Sequence, residues 1–221
     1  MIRWIALLGP LACLSVLGYA HLALPAQTLV SDYALIDGGT PLIIGGTLAL
    51  AAGCLSLAYG LTVHEPSRSA AARVLLVAAT GGLMLSALFP TDPSAGVSSL
   101  TGEIHRWSSA VVFTSLPVAG WSLARGRAAL PRWNLVRSLS VTSALTLGVY
   151  LGAHPGSVVS TLIGGSAYYG LLERGLLVAE IALIVSMGVA ALRQGGVSAA
   201  VPAAPQGRLS AVRPERHEHA A

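Results

Sequence analysis

The chain has 221 residues, 54% hydrophobic and only 10% charged, with a mean hydropathy of +0.71. A soluble domain carries about 25% charged residues, so this chain lacks the polar coat that water demands, and the bilayer is its natural solvent. Its net charge of +4 comes from arginines scattered between apolar runs rather than from one basic patch, which argues against nucleic acid as a partner.

Residues 4–24 form the first apolar run, preceded by Arg3 and interrupted early by Gly9-Pro10, a pair that predicts a kink. A cleaved signal peptide competes with this reading, but five further runs favour a retained helix. Pro25, Asp32, Asp37 and Gly38-Gly39 then predict a loop with a short helical turn capped at Ser31. The second span is predicted over 41–62, where Gly45, Gly46, Gly53 and Gly60 allow close helix packing. The third covers 71–89. The stretch FPTDPSAGVSSLTGEIHR, residues 89–106, is the most polar and turn-rich segment inside the apolar body. The fourth span is predicted over 105–123, with Trp107 and Trp121 near its ends as interfacial anchors. Arg125, Arg127, Arg132 and Arg137 fall in the next connection. The fifth span is predicted over 138–153, then a loop over 154–170, then the sixth span over 171–192. Tyr168-Tyr169 reads as an interfacial anchor. Residues 1–193 thus form an all-α bundle of six transmembrane helices, and 194–221 a disordered cytoplasmic tail.

Six spans put both termini on one side. Eleven of the thirteen arginines collect there, which orients the termini toward the cytoplasm of a bacterial inner membrane. Basic residues supplied by arginine alone, with no lysine, point to a GC-rich bacterial source. The opposite face holds Asp32, Asp37, Asp92, Glu103, His105, Arg106, His154, Glu173 and Arg174. Glu103 and Arg106 have helical neighbour spacing, whereas Glu173 and Arg174 are adjacent and so must pair elsewhere. Glu180 lies two turns inside the sixth span, where a carboxylate costs several kcal/mol unless paired or protonated. It shares a helix face with Glu173, roughly 10 Å away along the axis.

These residues admit an outward polar pocket or an ion-pair cluster that ties loop ends to helix tops. No cofactor is predicted. His21, His105 and His154 with Asp92 form a donor set suited to zinc, but no HExxH-like spacing accompanies them. All three histidines fall at span ends, which argues against intramembrane haem. No GxGxxG, P-loop, GxSxG or CxxC is present. Cys13 and Cys54 fall in apolar runs and read as buried free thiols.

SDYAL at 31–35, FPTDP at 89–93, GxxH at 102–105 and the Glu173-Arg174 pair resemble a bacterial multi-pass membrane family of unknown function, number 998. The resemblance covers about residues 1–195 and implies an integral membrane protein with no assignable activity. It places Asp32, Asp92, His105 and Arg174 at motif positions. The expected function is binding, transport-accessory or structural, with the lipid bilayer as surroundings and a lipid headgroup or small polar ligand met through Arg106 and Arg174. One alternative is a membrane-embedded hydrolase using Asp92, His105 and His154 on a lipid, as metal ligands or as acid and base. Another is proton-coupled transport through Glu180.

Overall fold

Long apolar stretches in a medium without water must satisfy their backbone hydrogen bonds internally, and the helix is the local way to do so. The computed structural model describes residues 2–93 and 97–197, and these hold α1 (Ile2–Ala23), α2 (Gly39–His64), α3 (Ala70–Leu88), α4 (Leu100–Ala124), α5 (Pro131–Ala153), a short α6 (Val158–Ile163) and α7 (Tyr169–Val197). Two 3-10 turns, Ser31–Leu35 and Gly165–Ala167, complete the described residues, which contain no strand. The tail predicted to be disordered lies almost wholly outside them.

Five helices (all the long ones except α4) are long and apolar enough to cross a membrane. The chain is therefore a multi-pass membrane protein. The sequence reading of six spans counted α4 as well. α4 is 25 residues long but opens on Thr101, Glu103, His105 and Arg106 and carries several serines. Those serines face other helices: Ser108 and Ser115 are buried, and Ser86 of α3 bonds Ser108 at 2.9 Å and Ser109 at 3.2 Å.

Several predicted boundaries move. α4 starts at Leu100 rather than 105, so Gly102 and Glu103 are helical, with Ser99 as the cap whose side chain accepts from the Gly102 amide. α5 starts at Pro131, where a missing N–H costs nothing, so Arg132, Trp133 and Arg137 are helical rather than loop residues. The 154–170 connection contains α6 and a 3-10 turn. The 3-10 turn at Ser31 exists, but Val30 is its cap and no side chain caps it.

Packing neighbours run α1–α2–α3–α4–α5–α7, and α7 closes on α1. α7 also touches α2 and α4, so it packs against four of the other long helices. Leu183, Ile184 and Met187 of α7 are fully buried, in one core with Leu57 and Leu61 of α2, Leu76 of α3 and Leu116 of α4. Outward faces stay apolar, as lipid requires: Leu88, Leu145 and Val74 are mostly exposed.

The α1–α2 contact depends on glycine. A Cβ on Gly53 would lie 2.6 Å from the Pro10 ring, and one on Gly46 would meet Val16 at 3.4 Å. Gly45 and Gly60 face open space, so only two of the four glycines read as packing residues serve this crossing. Adjacent helical positions differ by about 100°, so Gly45 and Gly46 cannot share a face. Cys13 and Cys54 are buried free thiols.

Candidate functional site

The polar residues at the α1 C-terminal and α7 N-terminal end fall into three groups. The first joins the loop after α1 to the head of α7. The Glu173 carboxylate is buried and accepts from the Val30 amide at 2.6 Å. The Arg174 guanidinium donates to the carbonyls of Gln27 and Thr28, each at 2.7 Å, and of Gly170 at 2.8 Å. Gly170 lets the Thr28 carbonyl approach so closely that a Cβ there would strike it. Asp32 accepts from the Leu29 amide at 3.0 Å and braces the same loop. The 3-10 turn places Tyr33 inward, fully buried, with its hydroxyl 3.0 Å from His21 Nδ1. Glu173 and Arg174 therefore do act apart, as adjacent helical positions must, but both hold the same loop.

The second group closes the α3–α4 connection. Asp92 accepts from the Ser99 hydroxyl at 2.6 Å and the Ser99 amide at 3.3 Å, and pairs with Arg106 at 3.4 Å. Arg106 also pairs with Glu103 at 3.2 Å, and its side chain is 58% exposed. Gly102 is required beneath Asp92, because a Cβ there would overlap the carboxylate. His105 Nδ1 faces the carbonyls of Phe89 at 2.9 Å and Ser86 at 3.2 Å. Carbonyl oxygens only accept, so Nδ1 carries a proton and donates to them.

The third group is aromatic. Tyr150 and Tyr169 stack at 4.5 Å between ring centroids, 7° from parallel, and the Tyr169 hydroxyl donates to that of Tyr150 at 2.7 Å. Phe113 meets Tyr150 edge-on and His154 meets Tyr169 edge-on, at 6.3 and 5.5 Å. His154 Nδ1 accepts from the Gly156 amide at 3.0 Å. Tyr169 also lies within electrostatic reach of Glu173, Arg106 and Asp32. Only Tyr168 of the Tyr168-Tyr169 pair points outward, at 59% exposure. Nothing in the sequence marked Tyr150, because a tyrosine near the end of a span is ordinary.

His21, His105 and His154 are thus engaged on three different partners. Among the described residues no three His, Cys, Asp or Glu side chains stand close enough to hold a metal ion.

Glu180 sits deeper on α7, 2% exposed, with Oε1 buried and without a hydrogen-bond partner. It lies within electrostatic reach of Cys54 on α2.

The other end of the bundle carries a cluster that the sequence left as connections. Glu65, just past α2, forms a buried ion pair with Arg127, whose guanidinium also lies 4.7 Å over the Trp133 ring. Arg137 donates to the carbonyls of Ala124 at 2.9 Å and Arg127 at 2.6 Å. The only advance signal was a lone acid among arginines.

A family model described as "Protein of unknown function (DUF998)" matches residues 7–190. No curated protein and no solved structure matches the chain.

Proposed function

Since the chain belongs to the DUF998 family of unknown function, we propose that it is a six-span bacterial inner-membrane protein, termini cytoplasmic, without chemistry of its own. It serves as a binding, transport-accessory or structural component. Its outward polar residues form a cap over the bundle. Asp32, Glu173 and Arg174 hold the first loop, and Arg106, the exposed guanidinium of the cap, meets a lipid headgroup or a small polar ligand. One observation carries this reading: the cap's polar atoms bond pairwise to each other and to nearby backbone. A catalytic site needs nucleophile, base and oxyanion donors aimed at one point. His105 faces two carbonyls and His154 an amide and a tyrosine ring, which favours a binding or structural cap over the hydrolase alternative, with or without zinc.

The test uses glycerol phosphate, a soluble headgroup mimic, and the purified full chain. Glycerol phosphate is expected to raise the melting temperature of the wild type and not of Arg106→Gln. No shift in the wild type, or an equal shift in both, overturns the headgroup reading.

A second reading rests on Glu180. Intramembrane acids commonly mark ion or proton pathways, and the buried Oε1 of Glu180 has no partner. Under this reading Glu180→Gln folds normally but abolishes proton movement. Proteoliposomes loaded with a pH-sensitive dye report it. Wild-type flux equal to that of Glu180→Gln, or no flux in either, ends the idea.

A further inference from the structure

A groove opens on the lipid-facing side between α2 and α3, at the end of the bundle opposite the cap. It has a volume of about 550 Å3. Leu55 and Tyr59 of α2 and Val74 and Val77 of α3 line it, each at least half exposed. Thr62 and Arg73 stand at the end nearest the α2–α3 connection. From Leu55 to Thr62 the groove extends roughly 10 Å along the helix axis, against a monolayer hydrocarbon depth of about 15 Å.

The polar end is incompletely used. Arg73 Nη1 donates to Thr62 at 3.2 Å and Nη2 to the Pro66 carbonyl at 2.9 Å. Its Nε is buried without a hydrogen-bond partner. Among the described residues Arg73 forms no ion pair, since Glu65, the acid of the α2–α3 connection, is paired with Arg127. A guanidinium has five N–H donors, so donors remain for an anion. Arg68, in the same connection, is exposed and adds positive charge. Arg73 is the fourth residue of α3, at the end of a span where phosphates of the bilayer surface lie.

We propose that this groove binds an anionic phospholipid, one acyl chain along Leu55, Tyr59, Val74 and Val77 and the headgroup phosphate on Arg73. Apolar walls and an arginine without an acidic partner match the two halves of that ligand. The site is separate from the cap and does not depend on the cap's function.

The full chain, purified from a mixture of phosphatidylglycerol and phosphatidylethanolamine with identical acyl chains, tests it by native mass spectrometry. The wild type should retain phosphatidylglycerol in about fivefold preference, the worth of one arginine beside an anionic headgroup. Arg73→Gln should bring the ratio to about one. Val74→Trp, at an exposed position that fills the groove, should lower retention of both lipids while Arg73 stays in place. These proteins are all compared in an Arg106→Gln background, so that a headgroup held at the cap does not enter the ratio. If Arg73→Gln does not fold, Val74→Trp decides: lost retention supports the site, and wild-type retention overturns it. No preference in the wild type, or a preference that survives Arg73→Gln, also overturns it.

Discussion

Arg127→Ala is expected to destabilise the protein by about 3–5 kcal/mol, the usual result of removing one partner from a buried ion pair. The side chains of Arg127 and Glu65 are 9% and 11% exposed, so solvent does little to screen them. Glu65 Oε1 is already buried without a partner, and losing the guanidinium would leave the whole carboxylate uncompensated. The cation–π contact with Trp133 goes as well. The pair joins the α2–α3 connection to the α4–α5 connection, so the damage should spread to both. Thermal unfolding in detergent measures it. The double variant Glu65→Gln, Arg127→Ala should recover part of the loss, because the unpaired charge is gone. A loss under about 1 kcal/mol for Arg127→Ala would place the pair with screened surface bridges.

Arg174→Ala should cost about 2–4 kcal/mol and free the loop over 25–38. One guanidinium serves three carbonyls there, two of them in that loop; a hydrogen bond to a charged group contributes about 1.5–3 kcal/mol net, and bonds that share one partly exposed side chain sum to less than three times that. Arg174→Lys should recover little, since a point ammonium cannot reproduce the planar fork. Limited proteolysis distinguishes this from general unfolding. The variant should be cut in the 25–38 loop while the helices stay protected. An uncut loop would show that Glu173 and the Val30 amide hold it unaided.

Most of the helical architecture was legible because apolar run length is a strong, local signal. Boundaries were less legible where charged residues lie inside helices. Arg132 and Arg137 read as loop, yet Pro131 starts α5 and Arg137 reaches back to the carbonyl of Ala124 at the end of α4 and that of Arg127 just beyond it. The same confusion hid α4's first turn, where Thr101 and Glu103 are helical. Of the candidate residues, Glu103–Arg106 followed from spacing alone. Asp92–Ser99–Gly102 did not, because a turn of unknown geometry separates them. The loop contact at Arg174 was equally hidden, since its partners are backbone carbonyls almost 150 residues away, and every residue type has one.

By itself the sequence determined the solvent, the helical class, a multi-pass arrangement read as six spans, of which five helices of the structure meet the length and apolarity of a span, and the family. Each follows from composition or from contiguous residues. Only the tertiary structure decided that α7 packs against four other long helices, that Tyr150 stacks on Tyr169, that Glu65 finds Arg127, and that Arg73, without an acidic partner among the described residues, stands at a groove between α2 and α3. Those depend on which faces of distant helices meet. That choice is made by close packing at sites such as Gly53 against Pro10, and no single stretch of sequence records it.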